Sequence, residues 1–307
     1  MTEQPSTDPL PLLSDQLARH VAAIGAGVVA VHGRHGPPFS GFVWRRGAIV
    51  TAEEALEADE DITITVPDGR RIGATLAGRD PTTDVAVLRV TDSEDLAPLA
   101  TSTRSDLGAG HLALAVGRRP EGVIAHVGAV SVAGGPWRSM RGGHIARFLR
   151  LDLRLDHRAE GGALVDLRNG RAFGMAVYGP RGSVLGIPME TIERVAERLL
   201  AHGRIGRGYL GLGLRPIRLD EETVRRLGLA RPYGLMVVSV EVDGPAHKAG
   251  VLQGDVLTAW DGQPVRRLRD VLERLGPVSV GQTATLSIVR AGQSASAQVT
   301  IVERHVA

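Results

Sequence analysis

The 307-residue chain has no cysteine, so neither disulfides nor thiolate metal sites contribute to it. It has a single lysine, Lys248, so almost all of its positive charge is arginine, and 36 basic against 34 acidic residues leave a formal charge of +2. The arginines are scattered through turns and strand ends and are not run together with aromatics, a pattern that excludes an obvious nucleic-acid footprint. No stretch approaches the roughly 20 apolar residues of a membrane span; Val21 to Val31 is short and interrupted by glycine. Met1 to Pro11 lacks a basic region followed by an apolar one, so the expected location is cytoplasmic, or periplasmic if the true start lies further upstream. Aromatics are only 3% of residues, and none precedes Phe39.

What is present is glycine, 39 residues of it, among short runs of Val, Ile, Ala and Leu. Such runs separated by tight turns read as β-structure. Val28 to His32, Gly41 to Trp44, Ala48 to Thr51, Ile62 to Val66, Arg71 to Ala77 and Asp84 to Val90 form a first series; Leu112 to Val116, Val123 to Val132, Phe148 to Asp152, Gly162 to Asp166, Ala172 to Val177 and Ser183 to Ile187 form a second. Many short, evenly spaced strands predict barrels or sandwiches. The chain exceeds the ~250 residues at which single cores stop growing, so two domains are expected. Residues 1–12 read as a disordered tail, and Leu13, Leu17 and Val21 mark one face of a short helix to Ala23. Met189, Ile192, Val195 and Leu199 mark another over Pro188 to His202, stopped by Gly203. The boundary falls there, giving domains at 13–203 and 204–307.

Several motifs occur in order. Ser40-Gly41-Phe42-Val43 is followed by Gly47-Ala48-Ile49-Val50-Thr51, then by Asp80-Pro81-Thr82-Thr83-Asp84-Val85-Ala86-Val87-Leu88, then by Asp156-His157-Arg158-Ala159-Glu160-Gly161-Gly162-Ala163-Leu164-Val165 and Gly186-Ile187-Pro188. Beyond the boundary come Tyr209-Leu210-Gly211-Leu212, Gly254-Asp255-Val256-Leu257, a helix near Leu268 to Leu275 and a hairpin from Thr283 to Val302. In this order they resemble the HtrA (Deg) family of trypsin-like serine proteases with one PDZ domain, from about Leu13 to Val306. The resemblance implies a mainly β protein, a two-barrel trypsin-like fold followed by a PDZ domain.

The same alignment shows what is missing. Glu54 stands at the position of the catalytic histidine, Glu160 at that of the nucleophilic serine, and Arg158 at that of an oxyanion-loop glycine; Asp84 and Gly161 match the family pattern. The chemistry needs a hydroxyl, an imidazole to take its proton and a carboxylate to hold the imidazole's tautomer. Carboxylates at 54 and 160 supply neither of the first two, and a side chain at 158 penalises the backbone that turns its N–H into an oxyanion hole. Ser102, Ser105 and Ser131 have no base beside them to substitute, and His157 reads as an exposed loop residue.

The expected function is therefore that of an inactive HtrA-like pseudoprotease, a scaffold, adaptor, holder or regulator. The alternatives are an active serine endopeptidase in protein quality control and a metal-binding scaffold, in which Glu54, Asp84 and Glu160 hold a hard cation. Against the metal, the default is that Arg158 or another cleft arginine pairs with these carboxylates, or that Glu160 faces solvent; no cofactor is expected. Resemblance to PDZ domains implies a groove for peptide C-termini, with Arg207, Tyr209, Leu210, Gly211 and Leu212 at the carboxylate and Leu268, Val271 and Leu272 lining an apolar pocket. Partners implied are peptide C-termini and an active HtrA relative. The family also implies a homotrimer, although the N-terminal aromatics that assist it elsewhere are absent here.

Overall fold

The structure, a computed structural model, describes residues 9–91, 96–103, 106–206, 208–276 and 279–303. It divides into two compact units, 1–205 and 206–307. The first begins with helix α1 (Pro9–Gly25). Its first sheet contains β1 (Val28–His32), β2 (Phe39–Arg45), β3 (Ala48–Thr51), β4 (Thr63–Thr65), β5 (Arg71–Gly73), β6 (Thr75–Asp80) and β7 (Val85–Arg89), in the order β5-β4-β1-β2-β3-β7-β6. A second series comprises β8 (Leu112–Arg119), β9 (Gly122–Ala133), the small hairpin β10 (Trp137–Arg138) and β11 (His144–Ile145), then β12 (Leu149–Asp152), β13 (Ala163–Asp166), β14 (Arg171–Tyr178) and β15 (Val184–Pro188). Six of these close a barrel in the order β12-β15-β14-β13-β8-β9. Helix α2 (Met189–His202) ends at Gly203 in the left-handed conformation, as the sequence predicts.

Strand alternation explains why the apolar runs are continuous. In β1, β2 and β7 the side chains Val29, Val31, Val43, Ala86 and Leu88 fill the interior of the first sheet. Their neighbours Val28, Phe42, Trp44, Val85 and Val87 turn the other way, into a core shared with Leu114, Val116, Val165 and the Ile192–Val195–Leu199 face of α2. In β8 and β13, Ala113, Ala115 and Leu164 fill the closed barrel instead. These five strands are therefore buried on both faces over most of their length, so no polar alternation survives in their sequence.

The run expected as one strand over Arg71 to Ala77 is two, β5 and β6, and the start of the first helix also differs from expectation. Residues 9–12, read as tail, belong to α1, and the helix runs on to Gly25. Pro9 suits a first turn, where its missing N–H has no helical partner to lose. Leu10, Leu12 and Leu13 remain exposed, and only Leu17 and Val21 of the helical stripe pack on the core. Residues 1–8 lie outside the described residues.

The second unit contains β16 (Gly208–Tyr209), β17 (Leu212–Arg218), α3 (Glu221–Arg226), β18 (Tyr233–Val240), α4 (Pro245–Lys248), β19 (Val256–Trp260), β20 (Gln263–Pro264), α5 (Leu268–Arg274), β21 (Thr283–Arg290), β22 (Gln293–Thr300) and β23 (Val302–Glu303). Its main sheet has the order β17-β18-β19-β21-β22, which leaves β17 at an edge. Leu235, Val237, Leu257, Trp260, Leu286 and Val299 form its core. Buried Asp255 holds this sheet together through a two-pronged pair with Arg290, at 2.8 and 2.7 Å, and accepts the Leu252 N–H. The hairpin β21–β22 is in full register from Thr283↔Thr300 to Arg290↔Gln293.

Candidate functional sites

Three turns bring Glu54, Asp84 and Glu160 together. Glu54 follows β3, Asp84 sits between β6 and β7 with a left-handed φ of 57°, and Glu160 precedes β13. The Glu54 N–H donates to Asp84 Oδ1 at 2.8 Å. Burial, reinforced by the charges of Glu54, Glu160 and Glu53, pushes the Asp84 carboxyl up to about 7, against the downward pull of the Glu54 N–H. Glu160 is also raised, chiefly by burial, although the Tyr178 N–H it accepts at 3.1 Å and the nearby His157 pull it back.

Of the expected cleft arginines, the one that pairs with Glu54 is Arg141; no ion pair of Arg158 occurs among the described residues. Arg141 lies in the turn between β10 and β11 and pairs with Glu54 at 3.3 Å and more distantly with Glu53 at 3.7 Å. Glu53 is buried and is held mainly by Arg79, whose guanidinium also donates to the carbonyls of Glu53 and Leu56 and pairs with Asp59. Ser139 anchors that turn by donating to the Thr82 carbonyl at 2.5 Å, two residues from Asp84. Among the described residues, no three His, Asp or Glu side chains are gathered in a geometry able to hold a metal, the trio Glu54, Asp84 and Glu160 included.

The loop that would carry the nucleophile is wound into a 3-10 turn, His157–Ala159. Asp156 caps it, accepting the Arg158 N–H at 2.8 Å, and the Glu160 N–H donates to the His157 carbonyl at 3.3 Å. These are the two N–H groups an oxyanion hole would use, and both are spent inside the turn. The cap is itself held: Asp156 pairs with Arg119, and its N–H donates to His126 Nε2 at 3.3 Å. The Arg158 N–H and the Arg119 guanidinium keep the Asp156 carboxyl below the usual range. Gly161 has a φ of 80°, and a Cβ there would collide with the Ser40 carbonyl and with Thr51.

Hydroxyls near the cleft are committed to structure. Ser40 is fully buried, donates to the Arg158 carbonyl at 2.5 Å and accepts the Arg118 N–H at 2.9 Å. Thr51 donates to the Ser40 carbonyl at 2.7 Å. Ser131 donates to the Arg150 carbonyl from within β9, and Ser105 lies outside the described residues. His157 is exposed as expected, and its ring lies tilted at 4.8 Å against that of Tyr178, whose hydroxyl donates to the Leu155 carbonyl. Sequence reasoning passed over Asp156, His126, Arg141 and Tyr178; only Asp156-x-Arg158 carries a local signal, that of an Asp closing a turn onto the N–H two residues on.

In the second unit the Leu210–Gly211 loop sits between β16 and β17. The Leu210 carbonyl accepts the Ala246 N–H and the Gly211 carbonyl the Glu241 N–H, both at 2.9 Å. The N–H groups of Leu210 and Gly211 have no partner among the described residues. Gly211 has a φ of 74°, which a side chain would resist. Beyond the loop, half-buried Leu212 and Leu214 of β17 face the core, and α5 packs beside the strand with Leu268 exposed, Leu272 half-buried and Val271 buried. Arg207 lies outside the described residues.

Comparison with known proteins agrees with this architecture. Residues 39–175 match the family described as trypsin-like peptidase domain, and residues 185–301 that described as PDZ domain. The chain is 32% identical over 272 residues to a probable periplasmic serine endoprotease DegP-like of Brucella suis, covering 85% of this chain and 52% of that protein. It is 30% identical over 268 residues to the protein of the same description from Rhizobium meliloti, with the same coverage. It thus spans about half the length of these relatives. Among solved structures, the serine endoprotease from Yersinia pestis has a TM-score of 0.74 at 26% identity, covering 99% of this chain and 100% of that one. The HtrA-type protease AlgW with tripeptide has a TM-score of 0.71 at 26% identity, covering 94% and 98%. The motif order, the domain order and these matches together show a trypsin-like domain followed by a PDZ domain, an arrangement similar to that of the HtrA-type proteases among the solved structures.

Proposed function

We propose that the trypsin-like unit does not cleave peptide bonds and that the chain acts as a binding protein, taking up polypeptide C-termini in its PDZ groove. The observation that carries this reading is the state of the 156–160 loop. Its nucleophile position is a carboxylate tied to the Tyr178 N–H, and both prospective oxyanion donors are satisfied within the turn. Restoring one residue leaves the other defects in place, because Glu54 takes no proton from a hydroxyl as imidazole does. The N–H pair at Leu210 and Gly211, without a partner among the described residues, supports the binding half of the reading, since carboxylate capture by backbone N–H groups is a recurring mode. The reading covers a scaffold, an adaptor and a regulator that assembles with an active relative.

A second reading, endopeptidase activity, is favoured by the relatives, which are described as probable serine endoproteases, and the two make opposite predictions. Casein incubated with the unmodified protein stays intact on our reading, as it does with Glu160→Ser. Cleavage by the unmodified protein that is lost in Glu160→Ala supports the second. We also place the chain with its relatives in the periplasm; no described helix is long and apolar enough to cross a membrane, and the cytoplasmic expectation has no independent support. Fractionation of the native host checks the compartment.

A further inference from the structure

We propose that Arg215 makes the PDZ groove selective for C-termini carrying an acidic residue at the fourth position from the end. The inference rests on the groove reading above and assigns it a ligand class.

β17 is an edge strand whose outer side has no strand partner among the described residues. Its inner register is Leu212↔Val240, Gly213↔Ser239, Leu214↔Val237 and Arg215↔Met236. The irregularity between Gly213 and Leu214 is an extra residue on β18, Val238, so alternation along β17 itself is unbroken. Leu212 and Leu214 therefore share the face that packs on the core, and Gly213 and Arg215 share the opposite one.

A peptide that adds antiparallel to this edge, with its carboxylate on the Leu210 and Gly211 N–H groups, meets β17 one residue at a time. Its last and third-from-last side chains fall on the apolar side, with Leu212, Leu214, Leu268 and Leu272. Its second-from-last residue lies opposite Gly213, which offers no side chain and so no selection. Its fourth-from-last residue lies opposite Arg215, at the ~5 Å spacing of directly facing strand residues.

Arg215 is suited to that role. It is exposed, and its guanidinium has no hydrogen-bond or ion-pair partner among the described residues. Its neighbour across β18 is Met236, which has no charge to give it. A carboxylate facing it on an added strand gains a partner without displacing one, and a cation there meets like charge.

The test uses the full chain and fluorescence anisotropy with labelled hexapeptides ending in Glu-Leu-Ser-Val, Gln-Leu-Ser-Val or Lys-Leu-Ser-Val, plus the C-terminal amide of the first. At low salt the Glu peptide is expected to bind about threefold tighter than the Gln peptide, and the Gln peptide tighter than the Lys peptide by a similar factor, as for an exposed pair. The differences should shrink at about 0.5 M salt. Arg215→Ala should abolish the ranking and Arg215→Glu should invert it; melting curves check that both remain folded. If the free acid outbinds the amide but the three sequences bind equally, the selectivity of Arg215 is refuted and the groove reading stands. If the amide binds as well as the free acid, or no peptide binds, the groove reading fails and takes this inference with it.

Discussion

The loop at 156–161 and the loop at 209–212 begin from the same material, a short run of backbone N–H groups at the start of a β-strand. In the first, the N–H groups of Arg158 and Glu160 are consumed by Asp156 and His157. In the second, those of Leu210 and Gly211 have no partner among the described residues. The difference lies in side chains. Asp156 caps the first loop and the Glu160 N–H closes it onto the His157 carbonyl, whereas no side chain caps the N–H groups of the second among the described residues.

The comparison breaks first if the second loop does not depend on Gly211. Gly211→Val forces a branched side chain into a left-handed φ and against Glu241, so peptide affinity should fall by at least about tenfold, roughly 1.4 kcal/mol, in anisotropy titrations. An unchanged affinity would remove the loop from the binding site.

The cleft carries a cost that the groove does not. Asp84 is raised from 3.8 to about 7, so between those values the folded state holds a proton that the unfolded state has released. Stability from this group therefore declines as pH rises through that window, and the loss is complete above about 7. Asp84→Asn keeps an oxygen for the Glu54 N–H and tolerates the left-handed φ. It should raise the melting temperature by about 3 °C or more at pH 8, with the gain vanishing near pH 4. A melting temperature lowered equally at both pH values would mean the carboxylate stabilises the cleft.

Asp156→Ala removes the cap and the Arg119 pair and is expected to cost about 1 kcal/mol. Amide exchange should quicken at Arg158 and Glu160 and not in the second unit; unchanged exchange would mean the turn closes without its cap. The smallest effect is expected at Glu241, whose carboxylate lies beside Gly211. Glu241→Gln should tighten peptide binding by about twofold at low salt, and a weaker complex would contradict the placement of the bound carboxylate.

Much of the fold was legible because strands and turns write themselves locally. The α2 stripe ended by Gly203 and the Thr283–Thr300 hairpin are patterns of neighbours in sequence. Helix α3 was equally readable and was overlooked: Asp220 caps it by accepting the Thr223 N–H, acidic residues open it and arginines close it. At the site, the substitutions Glu54, Arg158 and Glu160 could be read by position alone. Their partners could not. Arg141 reaches Glu54 across 87 positions and His126 reaches the Asp156 N–H across 30, pairings fixed by tertiary folding and by no local pattern. For the same reason the sequence left the compensating cation open between Arg158 and another cleft arginine, and the geometry uses Arg141.

The most direct test of the central claim is casein cleavage by the purified chain in the presence of a groove-binding peptide, with Glu160→Ala alongside. The account predicts intact casein in both samples. Cleavage by the unmodified chain that disappears in Glu160→Ala would contradict it, because a carboxylate at the nucleophile position would then be performing the reaction.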